Sequence, residues 1–153
     1  MYSLREQGEL AEAEAVARDA LALGRRLLGD EHPRVAGSLA QFTSILLREK
    51  KYVEAEPPAR ECLAIRQKHI PDDWLAFNAR SLLGGSLLGQ EKYAEAEPLL
   101  LSGYEGMKQR EDKIPPAGRP RLVETLQRLV QLYEATGRPD QAVEWKQKLA
   151  EFQ

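Results

Sequence analysis

Four copies of one short tag, spaced almost evenly, constrain this chain more than any other feature of its sequence. Leu-Ala-Glu-Ala-Glu begins at Leu10, Tyr-Val-Glu-Ala-Glu at Tyr52 and Tyr-Ala-Glu-Ala-Glu at Tyr93, with a weaker Pro-Asp-Gln-Ala-Val at Pro139, so the intervals are 42, 41 and 46 residues. Self-similarity at such a period marks a stacked array in which each unit contacts only its neighbours. Each tag follows a turn-like segment: Gln7-Gly8-Glu9, Glu49-Lys50-Lys51, Gln90-Glu91-Lys92 and Thr136-Gly137-Arg138. An apolar helical run precedes each of the last three tags, and a longer one follows each of the first three. The repeating unit is therefore a helix–turn–helix pair.

Chain breakers fall where this scheme needs them. Gly29 ends one helix and Pro33 opens the next within Leu28-Gly29-Asp30-Glu31-His32-Pro33, in keeping with the preferences of Gly for helix ends and Pro for first turns. Ile70-Pro71-Asp72-Asp73 repeats the pattern, and either Asp is suited to cap the helix starting near Trp74. The third break, Lys113 to Pro120, is longer and Pro-rich, which accounts for the stretched interval. The spacing predicts helices over 9–28, 33–49, 52–69, 73–89, 93–112, 119–136 and 139–151. Residues 1–153 are thus expected to form a single array: a half-unit over 1–9 with a helix over 10–28, then pairs over 33–69, 73–112 and 119–151. Pro57, Pro58 and Pro98 fall inside predicted helices, where Pro removes a hydrogen bond and costs about 3 kcal/mol. Either those helices start late or they kink there.

Composition agrees with an all-α fold. Leu and Ala dominate the apolar residues while Val, Ile and Thr are scarce, a balance that favours helix over strand. The formal charge is −2, from 22 Lys and Arg against 24 Asp and Glu. That balance argues against an electrostatic nucleic-acid binder, which carries a basic excess on one face. The lone Cys62 allows no intrachain disulfide and gives no metal-site spacing. The opening residues lack the basic and apolar regions of a signal peptide. The longest uncharged stretch, Ser81 to Gln90, is far short of the roughly 20 apolar residues that span a bilayer. A cytoplasmic location is the simplest expectation.

Two segments, LGDEHPRVAGSLAQF (28–42) with KKYVEAEPPARECLAI (50–65), and QEKYAEAEPLL (90–100), resemble the tetratricopeptide repeats of the longer, kinesin-light-chain type. The resemblance covers nearly the whole chain and implies an all-α, right-handed superhelical solenoid of antiparallel helix pairs. Small residues recur where that family packs its helices closely: Ala13, Ala55, Ala96 and Ala142 in the second helix of each pair, and Gly84 in the first. Thr43 and Val130 replace the small residue in their first helices, while Lys50 and Glu91 replace the turn glycine seen at Gly8 and Gly137. The fold is expected to absorb these departures by local adjustment. The stretch from Pro71 to Phe152 also resembles segments that follow bacterial serine/threonine kinase domains, although no Gly-rich phosphate loop, HRD or DFG element is present.

Residues that attract a chemical reading each have a simpler structural one. The pairs Glu12/Glu14, Glu54/Glu56 and Glu95/Glu97 are two apart, so on a helix they point about 200° away from each other and do not converge on one atom. Their place in a first helical turn suits the helix dipole. His32 sits in a helix-opening turn and His69 at a helix end, and neither belongs to a metal-binding spacing. Cys62, in a small-residue position with no cationic cluster around it in sequence, reads as a buried structural thiol. Gly84 and Gly85 lack the spacing of a phosphate loop; Gly84 is expected at a close helix crossing, and Gly85 facing the groove, open to a ligand backbone. No catalytic, cofactor or metal site is predicted, and the chain reads as a non-enzyme.

The resemblance also implies that the first helix of each pair lines a concave surface holding an extended peptide. The positions it assigns are Gln41, Ser44 and Arg48, then Asn78, Ser81 and Gly85, then Gln127, Arg128 and Gln131. Amides and hydroxyls there suit a peptide main chain. The Asn and Lys pattern that clamps a C-terminal carboxylate in some members is incomplete. A structural alternative is self-assembly, since a repeat array is open at both ends. Met1 to Leu4 reads as the last turns of a preceding helix, and Tyr2 and Leu4 at one end with Trp145, Leu149 and Phe152 at the other are the candidate end-to-end contacts of a filament or ring.

Overall fold

The computed structural model describes residues 2–152, and Met1 and Gln153 lie outside the described residues. Seven α-helices follow one another without strands among these residues: α1 (Leu4–Leu28), α2 (Pro33–Arg48), α3 (Tyr52–His69), α4 (Trp74–Gly89), α5 (Tyr93–Gln109), α6 (Pro120–Ala135) and α7 (Pro139–Ala150). Each packs on the next along the chain. In addition α2 lies against α4, and α4 against α6, so these three approach one another more closely than the tag-bearing helices do. The array therefore bends with α2, α4 and α6 inside and α1, α3, α5 and α7 outside.

Local chemistry explains the helix ends. The His32 Nδ1 accepts from the Arg34 N–H at 3.0 Å ahead of Pro33, and of the two candidate aspartates it is Asp73 that caps α4, accepting from the Leu75 N–H at 2.9 Å. All three inner-to-outer turns share one geometry. Lys50, Glu91 and Gly137 take left-handed φ values of 60°, 64° and 68°. The following N–H of Lys51, Lys92 and Arg138 then reaches back to the carbonyls of Leu46, Leu87 and Tyr133 at 2.9 Å each. This closes the helix end in the Schellman manner. The adjustment expected at Lys50 and Glu91 is thus a non-glycine residue held left-handed.

Three expectations are corrected, and one alternative is excluded. The turn expected at Gln7-Gly8-Glu9 is absent: α1 runs unbroken through Gly8, and Ser3 and Leu4 begin a new helix rather than closing an earlier one, with Met1 outside the described residues. The Ser3 hydroxyl accepts from the Glu6 N–H while the Glu6 carboxylate accepts from the Ser3 N–H, a complete capping box. Of the two outcomes left open for the prolines, a late start is excluded: the helices begin at Tyr52 and Tyr93 with Pro57, Pro58 and Pro98 inside. Finally, α5 ends at Gln109 rather than 112, because Ile114 turns into the core between two short 3₁₀ turns, Glu111–Lys113 and Pro116–Gly118.

The core is two apolar clusters side by side. One joins α1, α2 and α3, with Ala79 of α4, around Leu39, Leu46, Ala55 and Cys62; the other joins α4 to α7, with Ala59 of α3, around Leu87, Leu100, Leu126 and Tyr133. Leu63 packs against both. Thr43 keeps its buried hydroxyl satisfied by donating to the Leu39 carbonyl at 2.7 Å. A Cβ on Gly84 would stand 2.8 Å from Leu100, the close crossing its sequence position implied.

Candidate functional site

The inner helices enclose a concave pocket of about 350 Å³ lined by Ser44, Leu47 and Arg48 of α2, Tyr52 of α3, Gly85, Leu88 and Gly89 of α4, and Glu124, Gln127, Arg128 and Gln131 of α6. Six of the nine positions assigned to the groove, Ser44, Arg48, Gly85, Gln127, Arg128 and Gln131, meet here. Gln41 is exposed and lines a neighbouring cavity between α1 and α2. The other two do not face a ligand. Asn78 and Ser81 are buried, because they sit on the sides of α4 turned toward neighbouring helices.

Arg128 organises the pocket floor. Its side chain is only 15% exposed and stands 3.6 Å from Glu124. Its Nη1 donates to the Ser81 Oγ at 2.9 Å, and the Ser81 hydroxyl in turn shares a 2.6 Å hydrogen bond with Thr125. Burial pulls the Arg128 pKa down from the usual guanidinium value, opposed by Glu124. Gly85 is not the open approach for a ligand backbone that its position suggested. A Cβ there would lie 2.8 Å from the Arg128 Nε, so the glycine makes room for this arginine. Arg48, at the pocket rim, is exposed and makes no ion pair with a carboxylate among the described residues. The pocket lining thus combines two guanidiniums and one carboxylate with two glutamine amides and the hydroxyl-bearing Ser44 and Tyr52.

The second glutamate of each of the first three tags has a role that helix-dipole reasoning missed. Glu14 accepts from Lys51 at 2.8 Å, Glu56 from Gln90 at 2.9 Å with Lys92 at 3.6 Å, and Glu97 from both Arg138 amino groups at 2.8 and 3.1 Å and from Tyr133 Oη at 2.9 Å. Each carboxylate therefore reaches forward to the next unit's turn and clamps neighbouring units together. The Glu49 carboxyl, then Lys51 and Arg18, bring Glu14 to about 2. The hydrogen bond from Gln90 lowers Glu56, and the one from Arg138 lowers Glu97. The signal was legible: a cation recurs at Lys51, Lys92 and Arg138, immediately before every later tag.

The remaining residues fall as follows. Cys62 is fully buried, its Sγ donating to the Ala36 carbonyl at 3.4 Å, and burial pushes its thiol pKa up. At the C-terminal end the expected contact face points inward instead. Trp145 is buried, edge-on to Tyr104 with centroids 5.0 Å apart and stacked on Tyr133 at 6.5 Å, while Leu149 and Phe152 pack on the same core. Lys108 and Arg119 flank the Phe152 ring. The 3.6-residue period groups these three residues correctly, but the face they share is the one turned to α5 and α6. Tyr2 and Leu4 are exposed.

A tetratricopeptide-repeat family model matches residues 2–68. Two crystal structures from Podosopora anserina, of nearly identical TPR-like repeats named for a kinesin light chain and one of them a point variant, superpose with a TM-score of 0.73 at 19% identity. Those matches cover 97% of this chain and 68% and 69% of theirs. The chain has the fold of a tetratricopeptide-repeat solenoid. At that identity the likeness to the solved structures is one of fold, and no curated protein matches the chain significantly. Tetratricopeptide repeats of this kind form a protein-interaction scaffold in general. Among the described residues no group of three or more His, Cys, Asp and Glu is placed to hold a metal, and no helix is long and apolar enough to cross a membrane.

Proposed function

We infer that this solenoid is a non-catalytic scaffold whose concave pocket holds an extended segment of a partner protein. The observation that carries the reading is the convergence of Ser44, Arg48, Gly85, Gln127, Arg128 and Gln131, drawn from three separate inner helices, on one pocket. Gln127 and Gln131 are exposed, and each amide both donates and accepts, which matches the alternating groups of a peptide main chain. Leu47, Leu88 and Tyr52 add apolar surface for a side chain of the guest. The balanced net charge fits a protein partner in the cytoplasm rather than a nucleic acid or a membrane, with no cofactor involved.

The test is selection of random twelve-residue peptides on the purified protein, followed by binding to an Arg48→Glu/Gln127→Ala variant. Both residues are exposed, so the variant keeps its helical circular dichroism. Selected peptides are expected to lose about tenfold or more in affinity, equivalent to about 1.4 kcal/mol. Unchanged affinity in the variant refutes the pocket assignment.

A further inference from the structure

The first two joints between units are built on one plan, and a single residue sets them apart. In repeat register Glu14 corresponds to Glu56, Arg18 to Arg60, Lys51 to Lys92 and Glu49 to Gln90. Both tag glutamates hold the same two cations. Arg18 and Lys51 each stand 2.8 Å from Glu14, and Arg60 and Lys92 stand 2.9 and 3.6 Å from Glu56. The third partner of Glu56 is the Gln90 amide, which donates to it at 2.9 Å. An amide donates at every pH. Its counterpart in the first joint is a carboxyl group, and the Glu49 carboxyl lies within hydrogen-bonding reach of Glu14.

The Glu14 and Glu49 side chains are only 14% and 13% exposed. The Glu49 Oε2 stands 3.5 Å from the Lys51 Nζ, while its Oε1 is out of water and takes no donor among the described residues. Two ionised carboxylates in contact repel, and a buried oxygen without a donor is costly. One proton on Glu49, donated to Glu14, removes both costs and reproduces the neutral donor that Gln90 supplies.

We propose that Glu14 and Glu49 hold one proton between them. The joint fastening α1 to the turn ahead of α3 is firm while the proton is present and loosens when it leaves, whereas the joint at Glu56 does not respond. Arg18 reaches the pair from α1 and Lys51 from the turn, and Glu54 of α3 acts on Lys51. Arg48, Lys50 and Tyr2 line a cavity of about 410 Å³ beside Glu49. Burial and then Glu14 push the Glu49 carboxyl above its ordinary 4.5, against the pull of Lys51. Glu14 itself is held at about 2. A folded value raised in this way gives stability that is complete below the ordinary value and is lost as pH rises through the folded one. The joint is therefore firmest between the two folded values.

The test is ¹³C-carboxyl NMR of the full chain labelled at glutamate, with Tm followed over the same pH series in wild type, Glu49→Gln and Gln90→Glu. The Glu49 carboxyl is expected to titrate above 4.5, with Glu14 ionised throughout. From about pH 5 to 8 the wild-type Tm is expected to fall by about 2 °C or more relative to Glu49→Gln, because the amide keeps donating. Gln90→Glu is expected to add a second fall of the same kind at Glu56. Titrations common to all three chains cancel in the comparison. A Glu49 midpoint at or below 4.5 overturns the proposal whether or not the variants fold. So does a wild-type Tm that runs parallel to that of Glu49→Gln, or a folded Gln90→Glu chain that adds no fall.

Discussion

Replacing Glu97 by Ala is expected to destabilise the array far more than replacing its tag neighbour Glu95. Glu97 is the acceptor for the hydroxyl of Tyr133, a residue only 1% exposed, and for the guanidinium of Arg138. Arg138 keeps its head partly in water and re-solvates when the carboxylate is removed. The Tyr133 hydroxyl has no such recourse, and its pKa, pushed up to about 12 chiefly by burial and then by Glu97, reflects how dry that end of the ring is. Orphaning a buried hydroxyl costs about 1–3 kcal/mol. Taking about 2 kcal/mol, and about 2–4 °C per kcal/mol for a chain of this size, the Tm falls by about 4–8 °C. Glu95 is exposed, and Glu95→Ala is expected within about 0.5 kcal/mol of wild type. Thermal unfolding by circular dichroism and urea titration read both variants. In a Tyr133→Phe background no hydroxyl remains to be stranded, so Glu97→Ala is expected to cost about 1–2 kcal/mol less there. Equal costs for Glu97→Ala in the two backgrounds, or equal Tm values for the Glu95 and Glu97 variants, refute the clamp.

Three further outcomes follow from the same geometry. Glu14, Glu56 and Glu97 have folded pKa values below their ordinary 4.5, Glu14 at about 2; their contribution is complete above that ordinary value and is lost as pH falls through the folded ones. Calorimetry is expected to show a Tm that falls between about pH 4.5 and 2, shallower in Glu56→Gln/Glu97→Gln; an unaltered slope in that variant counts against the mechanism. Gly103→Ala is expected to lose about 1–3 kcal/mol by overpacking, because its Cβ meets the backbone of Phe77 and Ser81 at 2.9 and 3.2 Å. Gly8→Ala, with nothing within 4 Å, is expected to gain up to about 1 kcal/mol of helix propensity; urea denaturation compares the two, and similar effects would contradict the packing. Glu91→Gly relieves a left-handed φ of 64° and is expected to stabilise by about 0.5–1 kcal/mol after the added chain entropy of Gly, with a lower Tm as the contrary result.

Much of the fold was legible because the repeat ties one strong signal to several weak ones. The tags at Tyr52, Tyr93 and Pro139 set three helix starts to the residue, since each follows a turn whose left-handed residue fixes where the next helix begins. The same inference failed at Leu10. Gly8 resembles a turn glycine, but the capping box of Ser3 and Glu6 starts the helix earlier, and nothing between them breaks it. Pro57, Pro58 and Pro98 left a late start open, and the structure excludes it: the local penalty is outweighed by the packing of Ala55, Ala59, Ala96 and Leu100 along the same helices.

The candidate site was legible in position and less so in orientation. The resemblance, carried over by register from the tags, placed Ser44, Gln127 and Gln131 on the inner surface. Which of the polar residues are consumed internally depends on rotation by a single residue, about 100° on a helix. That rotation turns Ser81 toward Thr125 and buries Asn78. A long-range partner such as Arg128 over Gly85 joins residues about forty apart, and no pattern within one unit reveals it. Trp145, Leu149 and Phe152 show the same limit: a shared apolar face says that something covers it, and here the chain's own α5 and α6 do so.

The central claim is that the inner helices present a peptide-binding pocket, and an amide chemical-shift titration with a selected twelve-residue peptide tests it most directly. The account predicts perturbations clustered on Ser44, Arg48, Gly85, Leu88, Gln127 and Gln131, with the outward faces of α3, α5 and α7 silent. Saturable binding whose shifts lie on those outer helices, leaving these six residues unmoved, contradicts it.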